Sequence, residues 1–278
     1  MKKLLIGFIG QGFVGKNYAN DFEKRGFDII RYDLEKYKSN KDKIKKCAFV
    51  FIAVPTPTTK KSFDSSILEN VLPLIGKNKV AIIKSTIEIG STRKLQKKYK
   101  DIIIIHSPEF LTEKNATYDT QYPQKNIIGI LDLNDKELYK KGEEILNILP
   151  NSPYNKIILA EEAEIIKYGN NSFLYFKVVF FNILYDLSQK HNLNYENIKE
   201  ALIVDKRIGA SHTNIKDSGG RGAGGSCFLK DFEIFINMLK DLNLEQQIKT
   251  CEELRNLNLK YLKDSQKDLE LLKNIYGK

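Results

Sequence analysis

Cys227 lies in the run Gly224-Gly225-Ser226-Cys227-Phe228-Leu229-Lys230-Asp231, a glycine-rich turn that feeds a predicted helix. A thiol at a helix N-terminus feels the positive end of the dipole and unpaired backbone N–H groups, and both favour the thiolate, the nucleophilic form. Against that stands the ordinary fate of a free cysteine, which is to fill the interior as a small hydrophobe. Lys167 and Asn171 bear on the choice, because they are four apart on a predicted helix and share a face with Glu164. Such a pair can mark the solvated end of an apolar helix. A buried lysine, however, donates hydrogen bonds and stabilises an alkoxide, which is what oxidation of an alcohol requires.

The N-terminal motif Gly10-Gln11-Gly12-Phe13-Val14-Gly15 fits G-x-G-x-x-G between a predicted strand and helix, and Asp33 closes the next strand. Glycines there let the backbone approach a pyrophosphate at the helix N-terminus, and Asp33 would accept hydrogen bonds from an adenosine ribose. A carboxylate at that position repels a 2′-phosphate, so the motif predicts NAD rather than NADP, although Arg31 and Lys36 lie nearby. Val54-Pro55-Thr56-Pro57, Ser85-Thr86 and Ser107-Pro108-Glu109-Phe110-Leu111 follow the third, fourth and fifth predicted strands, with Glu113 two residues beyond the last. Turn and cap chemistry alone accounts for Ser, Thr and Pro at such places. Ligands of open parallel sheets nevertheless sit at the carboxyl ends of strands, which puts Thr86, Glu109 and the cofactor on one sheet edge.

The elements that must position these residues divide in two. Up to residue 160, short apolar runs (4–9, 27–32, 48–54, 80–84, 102–106, 127–131 and 156–159) alternate with amphipathic stretches at 14–25, 65–75, 91–99 and 136–148. That alternation predicts βαβ units, a Rossmann-type, doubly wound α/β domain over 1–160 with a parallel sheet. Residues 161–190 carry no proline and one glycine and predict a single helix, apolar on nearly every side from 173 to 187. Further helices are expected at 195–204, 228–242 and 244–275, making 161–278 an all-helical domain with one long central helix. The polar loop 205–226 is its irregular feature, of a length that is usually functional or disordered. A helix apolar all round needs a core or another subunit to cover it, so a homodimer is expected.

Composition narrows the class. The 278 residues carry a formal charge of +10, but 39 of the 45 basic residues are lysines dispersed along the chain. Nucleic-acid readers favour arginine and clustered patches, so no specific nucleic-acid partner is expected, only an attraction for anionic small molecules. No stretch predicts a membrane span or a secretory signal. Three widely spaced cysteines suggest no disulfide framework and a reducing cytoplasm, and no Cys/His spacing predicts a metal site.

Taken in order, these blocks and Asp205-Lys206-Arg207-Ile208-Gly209 resemble the nucleotide-sugar dehydrogenases, most closely the UDP-glucose 6-dehydrogenase group, over essentially the whole chain. The resemblance implies that NAD takes a hydride from the primary alcohol of the sugar, and that Cys227 then captures the aldehyde as a thiohemiacetal. A second NAD would yield a thioester, and water would release the carboxylate. By the same resemblance Lys167 and Asn171 stabilise the oxyanions, Asp231 orients Lys167, and Glu109 with Thr86 positions or deprotonates the water. The cofactor would rest on Gly10, Gly12, Phe13, Val14, Gly15 and Asp33, with Val54, Pro55, Thr56, Thr86 and Glu113. Substrate contacts would come from Glu109, Phe110, Leu111, Lys167, Asn171 and Gly224, and Arg207 would reach a neighbouring subunit's site. Gly-Gly-Ser-Cys-Phe is closer to the UDP-glucose and GDP-mannose branches than to the N-acetylhexosamine ones.

The chain departs from the family pattern at Leu229, where proline is common, at Lys114, where glycine is usual, and by extra residues in 211–221. Members of the family also carry a third, UDP-binding domain that is expected to be absent here or supplied by a separately encoded partner. Two other readings compete: a β-hydroxyacid-type dehydrogenase performing one oxidation without a thiol, and a non-catalytic chain that binds NAD and dimerises.

Overall fold

The computed structural model describes residues 4–57 and 64–277. They form two compact units, 4–57 with 64–167 and then 168–277, so the division falls after Lys167, whereas the sequence pattern changes at 160/161.

The first unit is built on seven strands in the order β2-β1-β3-β4-β5-β6-β7. They are β1 (Leu5–Ile9), β2 (Asp28–Tyr32), β3 (Phe49–Ile52), β4 (Val80–Ile83), β5 (Ile103–His106), β6 (Asn126–Ile130) and β7 (Asn155–Leu159). The first five strands are mutually parallel. The central strands β3 and β4 are buried throughout, as expected of a sheet covered on both faces. One face packs Phe8, Phe22 and Phe51, with ring centroids 5.2–5.3 Å apart. Its opposite face packs Val50, Ile52, Ile83 and Leu95. The helices of this unit include α1 (Phe13–Lys24), α2 (Ser66–Val71), α3 (Ser91–Lys98), α4 (Ala116–Gln121) and α5 (Lys136–Ile148).

The sheet is not wholly parallel. β6 meets β5 antiparallel through His106 and Gly129, and β7 then runs parallel to β6. Between β5 and β6 the chain turns at the carboxyl end of β5 and makes a single 3₁₀ turn, Glu113–Asn115, and the six-residue α4, which packs on α1. A connection that stays at that edge returns the next strand in the opposite direction.

The second unit is helical. The helix α6 (Ala160–Lys190) spans the expected range, and its residues from Tyr168 onward belong to this unit with α7 (Tyr195–Ile203) and α8 (Ser226–Asp241). Where one helix was expected over 244–275, there are two, α9 (Glu245–Asp264) and α10 (Leu269–Tyr276). The break is tertiary in origin: Gln266 and Asp268 take positive φ, while Lys267 Nζ donates to Gly222 O at 3.1 Å and Asp268 Oδ2 accepts from Gly225 N at 2.7 Å. Among the described residues no helix is long and apolar enough to cross a membrane.

His106 is fully buried at the end of β5. Burial, and then the charge of Lys84, lowers its pKa to about 3. The folded chain therefore keeps a neutral imidazole where the unfolded chain, with an ordinary pKa of about 6.5, takes up a proton. The resulting stability is present above that ordinary value and is lost as pH falls toward the folded one, at up to about 1.4 kcal/mol per pH unit. In denaturant unfolding at stepped pH, His106→Phe is expected to flatten the acid side of the stability curve. An unchanged slope would show that other groups govern acid unfolding.

Candidate active site

The turn after β1 is shaped as a cradle. Gly10 has φ +85°, and a Cβ there would collide with the Ala53 carbonyl at the end of β3. A Cβ at Gly15 would strike the Gly10 carbonyl, whereas nothing lies within 4 Å of the corresponding point at Gly12. Gly12 caps α1 without any side-chain hydrogen bond, and the first turn holds no acidic residue, so its N–H groups suit an anion. The cradle lies at the end of β1, which has β2 on one side and β3 on the other, so that the strand order reverses there, where such sheets bind ligands.

Asp33 follows β2, and its Oδ1 accepts the N–H groups of Glu35 and Tyr37 at 3.1 and 3.0 Å, which fixes the carboxylate. Arg31 is held by Asn20 and Glu23 at 2.8 Å each, and Asp33, Arg31 and Lys36 all line one cavity of about 640 Å³ with Gln11 and Lys16. These features fit a dinucleotide, with its pyrophosphate over Gly12 and Phe13 and its ribose at Asp33.

The strand ends next to the cradle are tied together by hydroxyls. Ser85 Oγ accepts from Val54 N at 2.9 Å and donates to Val54 O at 2.8 Å, and Thr56 Oγ1 donates to Thr86 O at 2.8 Å. These bonds bring Val54, Pro55, Thr56 and Thr86 into one ledge. At the end of β5, Glu109 is buried and makes two separate commitments. Its Oε2 accepts from Leu111 N at 2.8 Å, and its Oε1 accepts from Lys167 Nζ at 2.8 Å. Lys167 also donates to the Glu109 backbone carbonyl at 2.9 Å. Phe110 beside them carries Lys125 Nζ over its ring at 4.0 Å, and burial followed by the Lys167 charge lowers the pKa of Lys125.

Lys167 is delivered by the first turns of α6, and Glu164 anchors that end. The Glu164 carboxylate is fully buried and accepts from Gly90 N, Thr92 N and Thr92 Oγ1 at 2.6–2.8 Å, capping α3 from outside. Desolvation raises its pKa, opposed by these hydrogen bonds. A carboxylate on a helix N-terminus is a favourable partner for the dipole.

Within the second unit the thiol stands at a helix start. Gly225, at φ +81°, caps α8 without a side-chain bond, and Cys227 is exposed in the first turn, whereas Cys47 and Cys251 are buried. The preceding loop is clamped by α9 and the turn after it. Asn258 is buried and bonds both the N–H and the carbonyl of Ala223 at 2.7 and 2.9 Å. Gly224 has no room for a Cβ, which would meet the Asp268 carboxylate. Arg221 is sandwiched between the rings of Tyr185 and Tyr261 at 4.8 and 4.6 Å while bonding Asp186. Asp231 is buried one turn beyond the thiol, and its Oδ2 accepts from Asn171 Nδ2 at 2.6 Å.

The expected residues thus fall into two sets, with Thr86, Glu109 and Lys167 in the first unit and Asn171, Cys227 and Asp231 in the second. Glu109 pairs with Lys167, and Asp231 with Asn171. Arg207 lies on the exposed surface, folded onto Asp205 in a bidentate contact. Glu113 opens a short 3₁₀ turn, Glu113–Asn115, and its side chain lies outside the described residues.

Sequence reasoning missed Lys84, Glu164 as a cap, and the grip of Asn258 and Asp268 on the thiol loop. The signal for Lys84 was a charged residue closing an otherwise apolar strand. For Asn258 and Asp268 no sequence signal existed, since their partners lie some 35 to 43 residues away.

Comparison with known proteins agrees with this geometry. The model of the UDP-glucose/GDP-mannose dehydrogenase family, NAD binding domain, matches residues 33–147, and that of the same family's central domain matches residues 161–260. A UDP-glucose 6-dehydrogenase of Campylobacter jejuni is 34% identical over 82% of this chain and 57% of its own length. One from Rickettsia bellii is 29% identical over 83% of the chain and 54% of its own length. The chain therefore spans about half the length of these curated relatives. The structure of a UDP-glucose dehydrogenase from Pyrobaculum islandicum superposes with a TM-score of 0.80 at 24% identity, covering 99% of this chain and 72% of that one, and shares its fold. The glycine cradle, the paired strand ends and the helical unit thus have a common explanation: the chain belongs to the UDP-glucose/GDP-mannose dehydrogenase family, and its cofactor is NAD.

Proposed function

We propose that the chain oxidises the primary alcohol of a nucleotide sugar of the UDP-glucose type to the carboxylate, in two steps joined by a covalent bond to Cys227. The observation that carries this reading is the contrast among the three thiols: Cys227 alone is exposed, in the first turn of a helix whose cap leaves backbone N–H groups for an anion. NAD, when bound, accepts a hydride from the sugar carbon at each oxidation.

The chain's own groups handle protons, oxyanions and the aldehyde. Lys167, desolvated and already donating to Glu109, supplies positive charge where an alkoxide and later a hemithioacetal oxyanion develop. Asn171, held by Asp231, offers its amide as a second donor. The Cys227 sulfur adds to the aldehyde carbon, retaining a reactive intermediate between oxidations. Loss of the second hydride leaves a thioester, and water attacking its carbonyl expels the thiolate and yields the carboxylate. Glu109, with Thr86 on the neighbouring strand end, takes the proton of that water. Because the chain spans about half of its relatives, the nucleotide half of the substrate is assigned to a further domain, on this polypeptide or a separate one.

The same reading includes a homodimer. On α6, Phe173, Phe180 and Leu187 stand seven apart at 64, 53 and 55% exposure, with Ile183 beside them at 41%. Seven-residue spacing of exposed apolar side chains is the seam by which two helices pack.

Cys227→Ser is expected to abolish uronate formation while leaving NAD affinity, read by calorimetry, unchanged; uronate at the wild-type rate would remove the covalent step. In sedimentation at micromolar concentration the chain is expected as a dimer, and Phe180→Glu as a monomer. A monomeric wild type would leave the α6 stripe without the role assigned to it.

A further inference from the structure

Lys84 directly follows β4 and is 3% exposed. Its Nζ donates to Ser107 Oγ at 3.0 Å and to Pro108 O at 3.4 Å, and lies 4.4 Å from the centroid of the Tyr18 ring. All three partners are neutral. A tether between two strand ends needs no charge, and burying an ammonium among neutral groups is costly. The two oxygens, however, belong to the two residues immediately before Glu109, whose carboxylate grips Lys167. One buried lysine therefore grips the carboxylate itself, and a second holds the two residues that lead into it.

The titratable and charged groups around Lys84 come from each element packed on it: Tyr18 from α1, itself under the charge of Asp21, His106 from β5, Glu109 from the following turn, and Lys167 from α6. Burial is the largest influence and lowers the pKa of Lys84; Glu109 opposes it and Lys167 adds to it, leaving Lys84 at about 7. The amine therefore changes charge near neutrality.

We propose that Lys84 is a positioning residue for the Glu109–Lys167 pair: its amine fixes the Ser107-Pro108 turn that aims the carboxylate, and its charge is a second positive charge felt by Glu109. The proposal deepens the function proposed above, since it takes Glu109 and Lys167 as the groups at work.

The test uses the full chain labelled with ¹³C at lysine Cε and glutamate Cδ, titrated across neutrality. One lysine resonance is expected to titrate near pH 7 and to vanish in Lys84→Met. The Glu109 carboxyl resonance, assigned with Glu109→Gln, is expected to move at the same pH and to lose that movement in Lys84→Met. Lys84→Arg, whose charge is permanent, should remove the movement while keeping the carboxylate beside a cation. A Glu109 resonance that moves identically in wild type and Lys84→Met overturns the proposal, whether or not any sugar is oxidised.

In turnover, kcat of the wild type is expected to inflect near neutrality with KM unaffected, the inflection being lost in both variants and the rate retained by Lys84→Arg. A Lys84→Met profile parallel to wild type at every pH also overturns it. Coupling without turnover would support the role of Lys84 in the pair and remove the proposed oxidation, so the two failures are distinguishable.

Discussion

The buried contact between Lys167 and Glu109 is the interaction on which the chemistry proposed for the first unit depends. Their side chains are 6 and 11% exposed, so each ion has given up most of its water, at an effective cost of several kcal/mol per ion. Only a close partner with its remaining lone pairs satisfied offsets that cost. Glu109 meets the condition through Leu111 N, and Lys167 through the Glu109 carbonyl as well as the carboxylate. Residues further out serve this contact: Glu164, three residues before Lys167, locks α6 to the start of α3, and Lys84 holds the turn before Glu109.

The second unit solves a different problem, that of presenting a thiol on a glycine-rich segment without letting it wander. Glycine lowers the local order, and the structure restores it with side chains from elsewhere. Asn258 satisfies both backbone groups of Ala223, Asp268 takes Gly225 N, and Arg221 is packed between two tyrosines. The interruption between α9 and α10 coincides with this duty, since Lys267 and Asp268 reach the loop from the break itself.

Much of this was legible in the residues. The glycine cradle, Asp33, the strand ends and the span of α6 all follow from local pattern, because alternation of apolar runs, turn residues and helical periodicity are properties of neighbours in the chain. Cys227 was legible for the same reason, as a thiol just after glycines at a helix start. What was not legible depends on distant partners. The reversal at β6 follows from where the connection after His106 travels, and the break at Gln266 from contacts with the thiol loop. Lys84 read as the polar end of a strand because its two oxygens belong to the next strand's end. The pairing of Asp231 with Asn171 and of Lys167 with Glu109 likewise needed coordinates, since all four are polar residues with several partners available in sequence.

The central proposal is that one alcohol is oxidised twice with the aldehyde held on Cys227. The most direct measurement is the stoichiometry of NADH released per uronate formed, with the nucleotide sugar limiting and the carboxylate product quantified by mass spectrometry. The account predicts two NADH for each uronate and no free aldehyde. One NADH per product, with the aldehyde accumulating in solution, would contradict it.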